Sequence, residues 1–273
     1  MKKKIKYLLL TSVLVVIVIL GYMLLWGKLF PFSPIFIGFN KHELNNTVVY
    51  VQEGAGFNEF TRIDTLTKSV ENFHELKFKS KPKIFIFRDS ESYLQRSISK
   101  ARFCSFPGGS LVISPWALKE DKQGLISLDI YLRHELSHVL IFNYKGLIGS
   151  LRYPGWLLEG IAVYSSNQMG TSFYPDKEET YKLIKAGSFM PPEYFKTKKE
   201  DEVKLNVKYK AAFIYSEFGC IVDYLIMNYG REKFIQYMKA LLEENDNEVV
   251  FSKIYSKSFK TVIIDFKKSV YKS

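Results

Sequence analysis

Residues 7–26 form an apolar run whose only polar members are Tyr7, Thr11, Ser12 and Tyr22. About 20 residues at 1.5 Å each span a ~30 Å hydrocarbon core, so this segment is read as a single membrane-crossing helix. A cleaved signal peptide would have an apolar stretch of about 7–15 residues and a small-x-small site, which Leu20-Gly21-Tyr22-Met23-Leu24 does not offer. No Cys lies nearby to carry a lipid. Lys2, Lys3, Lys4 and Lys6 precede the run and only Lys28 follows it closely, which puts the amino terminus in the cytoplasm and the rest of the chain outside. Tyr22, Trp26 and Phe30 suit the outer interface. A cleaved signal and a buried core helix are the weaker alternatives, and the signal reading also exports the domain.

The net charge of +11 resembles a nucleic-acid signal until it is mapped along the chain. Removing the five lysines that flank the apolar run leaves +6, spread over a surface that carries all 28 acids. There is no tight basic stripe and no nucleic-acid module, so no nucleic-acid partner is expected. With 47% hydrophobic and 25% charged residues the exported part is a globular chain stabilised by a core. Cys104 and Cys220 are too few for a disulfide scaffold; in the exported compartment a pair between them is permitted but not indicated.

The expected layout is a cytoplasmic lysine cluster and span over 1–28, a juxtamembrane segment over 29–46 and one domain over 47–273. In 47–126 the pattern predicts strands at Thr47–Val51, Lys83–Phe87 and Ser110–Ser114, with helices near Phe57–Leu76 and Ser90–Ile98. Phe106-Pro107-Gly108-Gly109 marks a turn, and Pro115 ends the third strand. From 127 to 273 the period is mostly helical, with helices at Ser127–Tyr144, Trp156–Ser165, Tyr209–Tyr229 and Arg231–Glu244, and stops at Gly146 and Gly230. Asn167–Asp176 and Lys196–Lys204 read as surface loops. The fold class is therefore α+β, a small strand-containing half followed by a mainly helical half.

His134-Glu135-Leu136-Ser137-His138 lies within the helix predicted over Ser127–Tyr144. Two imidazoles four apart emerge on one helical face about one turn from each other, a spacing suited to two ligands of one metal. Independent placement of this chain's four His would produce His-Glu-x-x-His only about once in 250 such chains. A catalytic zinc site needs a third protein ligand and an open position. Glu159, in Trp156-Leu157-Leu158-Glu159-Gly160-Ile161-Ala162 on the next helix, fits. The short Lys145–Tyr153 connection allows antiparallel helices, which Gly160 and Ala162 would let approach closely.

At these two motifs the chain resembles the gluzincin metallopeptidases, in particular the peptidase-MA-like group, with His-Glu-x-x-His followed by Trp-Leu-x-Glu-Gly-x-Ala. The resemblance implies a zincin-like fold and one Zn2+ ion held by His134, His138 and Glu159. It makes Glu135 the general base toward the water that attacks a peptide carbonyl. It also suggests Tyr215, about ten residues before Leu225, as the donor to the oxyanion, and the strand Ser110–Ser114 as the edge that holds an extended peptide. Phe106-Pro107-Gly108-Gly109-Ser110 lacks the acid that the aminopeptidase branch uses for a free amine, which favours endopeptidase action.

The function implied is a membrane-anchored, extracytoplasmic zinc metallopeptidase acting on peptides or proteins. Two other classes stand beside it: a non-catalytic zinc-containing ectodomain that binds a partner, and a zinc hydrolase of a non-peptide amide or ester. His42 and His74 lack ligand-type neighbours and are read as structural or exposed. Asp129, Arg133 and Asn143 lie near the motif in sequence. The loop Asn167–Asp176 is placed where it could cover the site.

Overall fold

A computed structural model describes residues 2–273; Met1, the first residue of the expected 1–28 segment, and the side chains of Lys2 and Lys3 lie outside the described residues. The apolar run is helix α1, Lys2–Leu25, of which Lys4–Leu25 is long and apolar enough to cross a membrane and is not buried against the rest of the chain.

The sheet has five strands: β1 (Phe39–Glu43), β2 (Val48–Gln52), β3 (Lys83–Ile86), β4 (Phe103–Phe106) and β5 (Ser110–Ile113), in spatial order β1-β2-β3-β5-β4. β2, β3 and β5 are parallel neighbours, while β1 and β4 run antiparallel on the two edges. Parallel strands need a long crossover, which helix α2 (Phe60–His74) supplies between β2 and β3. Because side chains alternate, Ile84 and Ile86 face the helices with Val49, Val51, Leu111 and Ile113, while Phe85 and Phe87 face the other side. β3 is therefore covered on both faces and reads as a continuous apolar run.

The second face is closed by segment 29–46 as well as by α3 (Ser90–Arg96). Phe30 is fully buried among Phe85, Phe87 and Phe39, a burial contributing about 2 kcal/mol. Segment 29–46, expected as a juxtamembrane connection, thus supplies a core residue and edge strand β1. Its alternation is weak, with only Phe39 and His42 partly covered, which hid it from a pattern search.

One expectation is corrected here. Ser110–Ser114 is not an edge: β5 lies inside the sheet between β3 and β4, and the edge beside the site is β4. The carbonyls of Arg102 and Phe106 accept N–H groups from Ser114 and Gly109 on the β5 side. In an antiparallel ladder the intervening Phe103 and Ser105 then turn their backbone groups to the open side.

The helices after the sheet are α4 (Pro115–Lys122), α5 (Leu128–Ser150), α6 (Gly155–Ser166), α7 (Lys177–Lys185), α8 (Lys210–Tyr229), α9 (Arg231–Glu243), α10 (Asn247–Tyr255) and α11 (Phe259–Lys272). α5 runs past its expected end through a break at Gly146 (φ 66°, ψ −174°), which leaves the helical region without ending the coil for good. Leu132, Leu136, Val139 and Leu140 press α5 onto α2 and the sheet, whereas Ile141 belongs to the helical core. The glycine in α6 serves a different neighbour from the one expected: a Cβ on Gly160 would lie 2.7 Å from the Phe218 carbonyl oxygen, so it permits close approach of α8, not of α5.

Candidate metal centre

α5 contributes to both the sheet layer and the helical core, and its face toward α6 carries His134 and His138. Their rings meet edge to face, centroids 4.7 Å apart. α6 begins after Pro154, which restricts the chain before Gly155, and its fifth residue is Glu159. Glu159 Oε2 lies 3.5 Å from His134 Nε2 and 3.2 Å from His138 Nε2. One ligand atom from each of the three residues falls within 4.8 Å of the others, and all three side chains are buried. The expected group is brought together, and it is able to hold a metal ion.

The electrostatics agree with such a site. Burial alone would push the Glu159 carboxyl up, yet the imidazoles of His138 and His134 and the Lys196 ammonium hold it well below the usual carboxylate range. Lys196 Nζ sits 3.0 Å from Glu159 Oε1. Burial likewise opposes a charge on His134, but Glu159 and Glu135 outweigh it and raise its pKa. A carboxylate this deeply covered requires polar partners, and Glu159 has two imidazoles and one ammonium around it.

Orientation comes from a residue that the pattern search passed over. Asn167 ends α6 in the left-handed region (φ 57°), and the Gln168 N–H returns to the Val163 carbonyl, a common helix stop. The turn carries Gln168 back over α5, fully buried, where its Oε1 accepts from His134 Nδ1 at 2.7 Å. With Nδ1 engaged by Gln168, Nε2 is the ring nitrogen that faces Glu159 and the one a metal ion at the centre of the group would take. His138 Nδ1 is buried without a hydrogen-bond partner among the described residues. A loop can supply such a residue without any periodic signal; only the Asn at a helix end pointed to it.

Glu135, next to His134, reaches toward β4 instead of joining the group. Its Oε2 accepts the Ser105 N–H at 3.0 Å, tying it to the open side of β4. Glu135 and the three metal-site residues line one cleft of about 830 Å³, whose walls include Phe103, Cys104, Ser105, Tyr174 and Tyr215. Tyr215 is half-buried and its ring stacks on that of His134 with centroids 6.2 Å apart; burial first, then Glu159, pushes its phenol far above the usual range. The loop expected to cover the site contributes Gln168, Phe173 and Tyr174 to the cleft.

The remaining candidates are structural. His74 is fully buried on α2, with Nδ1 toward the Val70 carbonyl at 2.9 Å and Nε2 on Ser137 Oγ at 2.8 Å, and so props α5 from behind the site. Burial pushes its imidazole down to about 4. His42 stacks on Phe60. Asp129 pairs with Arg62, Arg133 bonds the Ser166 carbonyl, and Asn143 Oδ1 accepts from the backbone at Lys79 and Ser80. Cys104 and Cys220 are free thiols, and burial raises the Cys104 thiol to about 11. The chain matches no protein-family model and no curated protein.

Proposed function

We propose that the protein is a membrane-anchored, extracytoplasmic zinc metallopeptidase of the gluzincin type, with a zincin-like α+β domain and endopeptidase action. The observation that carries this reading is the division of labour between neighbours on α5. His134 and His138 converge with Glu159, while Glu135 stays outside that group, in the same cleft and held to the open strand β4. Two imidazole nitrogens and one carboxylate oxygen suit zinc and leave a coordination position open. Zinc held there would supply a Lewis acid that polarises a carbonyl and acidifies water near neutral pH.

The chain's own groups account for the rest. An extended peptide adds to the open side of β4 through the Phe103 backbone groups and the Ser105 carbonyl, the Ser105 N–H being held by Glu135. Glu135 takes the proton of the attacking water on its carboxylate and delivers it to the leaving amine nitrogen. The Tyr215 phenol, kept protonated by burial, donates to the developing oxyanion. Gln168 keeps the His134 ring in place throughout. The detergent-solubilised full chain, loaded with zinc and offered a diverse peptide library, is expected to cleave internal bonds in a Glu135-dependent way. Metal binding with no Glu135-dependent cleavage would instead favour the non-catalytic ectodomain.

A further inference from the structure

The step from α1 into the domain is not a tether. After Leu25 the Gly27 and Leu29 N–H groups return to the Tyr22 and Met23 carbonyls at 3.1 and 3.0 Å. A Cβ on Gly27 would lie 2.9 Å from Met23 Cα, so the turn is as tight as glycine allows. Three residues after Gly27, Phe30 enters the aromatic core, and the Pro31 carbonyl accepts from Ser110 Oγ at 2.8 Å. Lys28 Nζ is bonded to the carbonyls of Leu94 and Ser97. The turn after the helix is thereby fastened to the sheet and to α3.

Around this junction lies an apolar surface that the fold does not use. Ile35 is 59% exposed, Ile37 41%, Leu94 38% and Ile98 60%. The segments that carry them meet at this junction: Lys28 holds the Leu94 carbonyl, and Arg96 Nη1 reaches the Ile37 carbonyl at 3.4 Å. Neither 33–38 nor 94–103 contains an acid, while the latter carries Arg96 and Lys100 besides Arg102, whose guanidinium is paired with Glu120. Scattered exposed apolar residues need no explanation, but a cluster continuous with a membrane-crossing helix and rimmed by cations matches an anionic lipid interface.

The same segment reaches the site. Ser97 is bonded to Lys28, and Ser99, Ala101 and Arg102 line the cleft. From the end of α1 to that rim there is on the order of 25 Å of chain and side chain at full extension.

Resting on α1 as a span and the cleft as a peptidase site, we infer that the domain is pressed onto the outer face of the bilayer. Ile35, Ile37, Leu94 and Ile98 sit in the headgroup layer, and the cleft acts on membrane-proximal segments of polypeptides. Substrates anchored in the same bilayer gain effective concentration when the cleavable bond lies at the height of the rim, and lose it on long spacers.

The test uses the full chain in vesicles of phosphatidylcholine and phosphatidylglycerol, with single nitroxide labels at Ile35, Ile98 or Ile264 in a Cys104→Ser, Cys220→Ala background. Labels at 35 and 98 are expected to be relaxed by lipid-soluble oxygen more than by an aqueous nickel chelate, and the label at 264, on α11, the reverse. Labels at 35 and 98 as wet as that at 264 would overturn the docked pose. So would labels shielded from both reagents, the sign of a protein partner or a second copy. One peptide sequence is then tethered to lipid through a spacer of two or of thirty residues. About tenfold faster cleavage of the short form is expected in vesicles, and none of that preference in detergent. Equal cleavage in vesicles would overturn the substrate class alone, whereas cleavage of neither form would overturn the peptidase reading and leave the pose to the labels.

Discussion

The sheet half and the helical half both touch the cleft, but they hold different things in it. The helical half completes the candidate metal group with Glu159 from α6 and flanks it with Gln168 from the α6 cap and Tyr215 from α8. The sheet half fixes Glu135, through the Ser105 N–H, and offers the open strand. α5 joins them because one of its faces is Leu-rich and the other carries two histidines. Metal retention and catalysis should therefore respond separately to changes on the two sides.

The sharpest separation is at Glu135. Glu135→Gln is expected to lower peptide cleavage by about 10²–10⁴ while leaving zinc content unchanged, because the amide oxygen still accepts the Ser105 N–H but no longer takes a proton. Loss of zinc along with activity, read by elemental analysis beside the rate, would merge the two halves. The next effect concerns the prop behind α5. The folded pKa of His74 is depressed to about 4, so the unfolded chain binds more protons in acid. Its contribution is fully present above pH ~6.5 and is lost as pH falls toward 4, on the order of 3 kcal/mol in all. Urea unfolding of the solubilised chain at pH 7.5 and 4.5 should show this slope, flattened in His74→Gln.

Removing the helical half's orienting group should cost less. Gln168→Ala is expected to weaken zinc affinity about 10–100-fold in a chelator competition, with the zinc-saturated rate falling much less. An unchanged affinity would mean that the His134 ring is held by packing alone. The smallest effect is at Asn143, which joins α5 to residues 79–80 away from the cleft. Asn143→Ala should destabilise by about 1 kcal/mol in urea unfolding and leave both zinc content and cleavage as they were.

What was legible in the sequence follows from how local each signal is. His134 and His138 share a helical face by their spacing alone, and Glu159 stood out because its helix follows after a short connection. Strands β2, β3 and β5 announced themselves as apolar runs, since parallel pairing buries both faces. The edges did not: β1 is polar, β4 buries only its two end residues, and the order that puts β4 rather than β5 beside Glu135 depends on pairing between distant segments. Gln168 and Lys196 come from turns with Asn167 and Lys196 at positive φ, where backbone geometry, not periodicity, decides which side chain reaches the site. Gly160 was noticed as a small residue, but its partner, the Phe218 carbonyl, belongs to a helix some sixty positions away.

Zinc content of the full chain, measured by elemental analysis for the wild type, His138→Ala, Glu159→Ala and Glu135→Gln, tests the central claim most directly. The account predicts about one zinc per chain in the wild type and in Glu135→Gln, and a sharp fall in the other two. Zinc indifferent to His138 and Glu159, or lost in Glu135→Gln as readily as in Glu159→Ala, would contradict it.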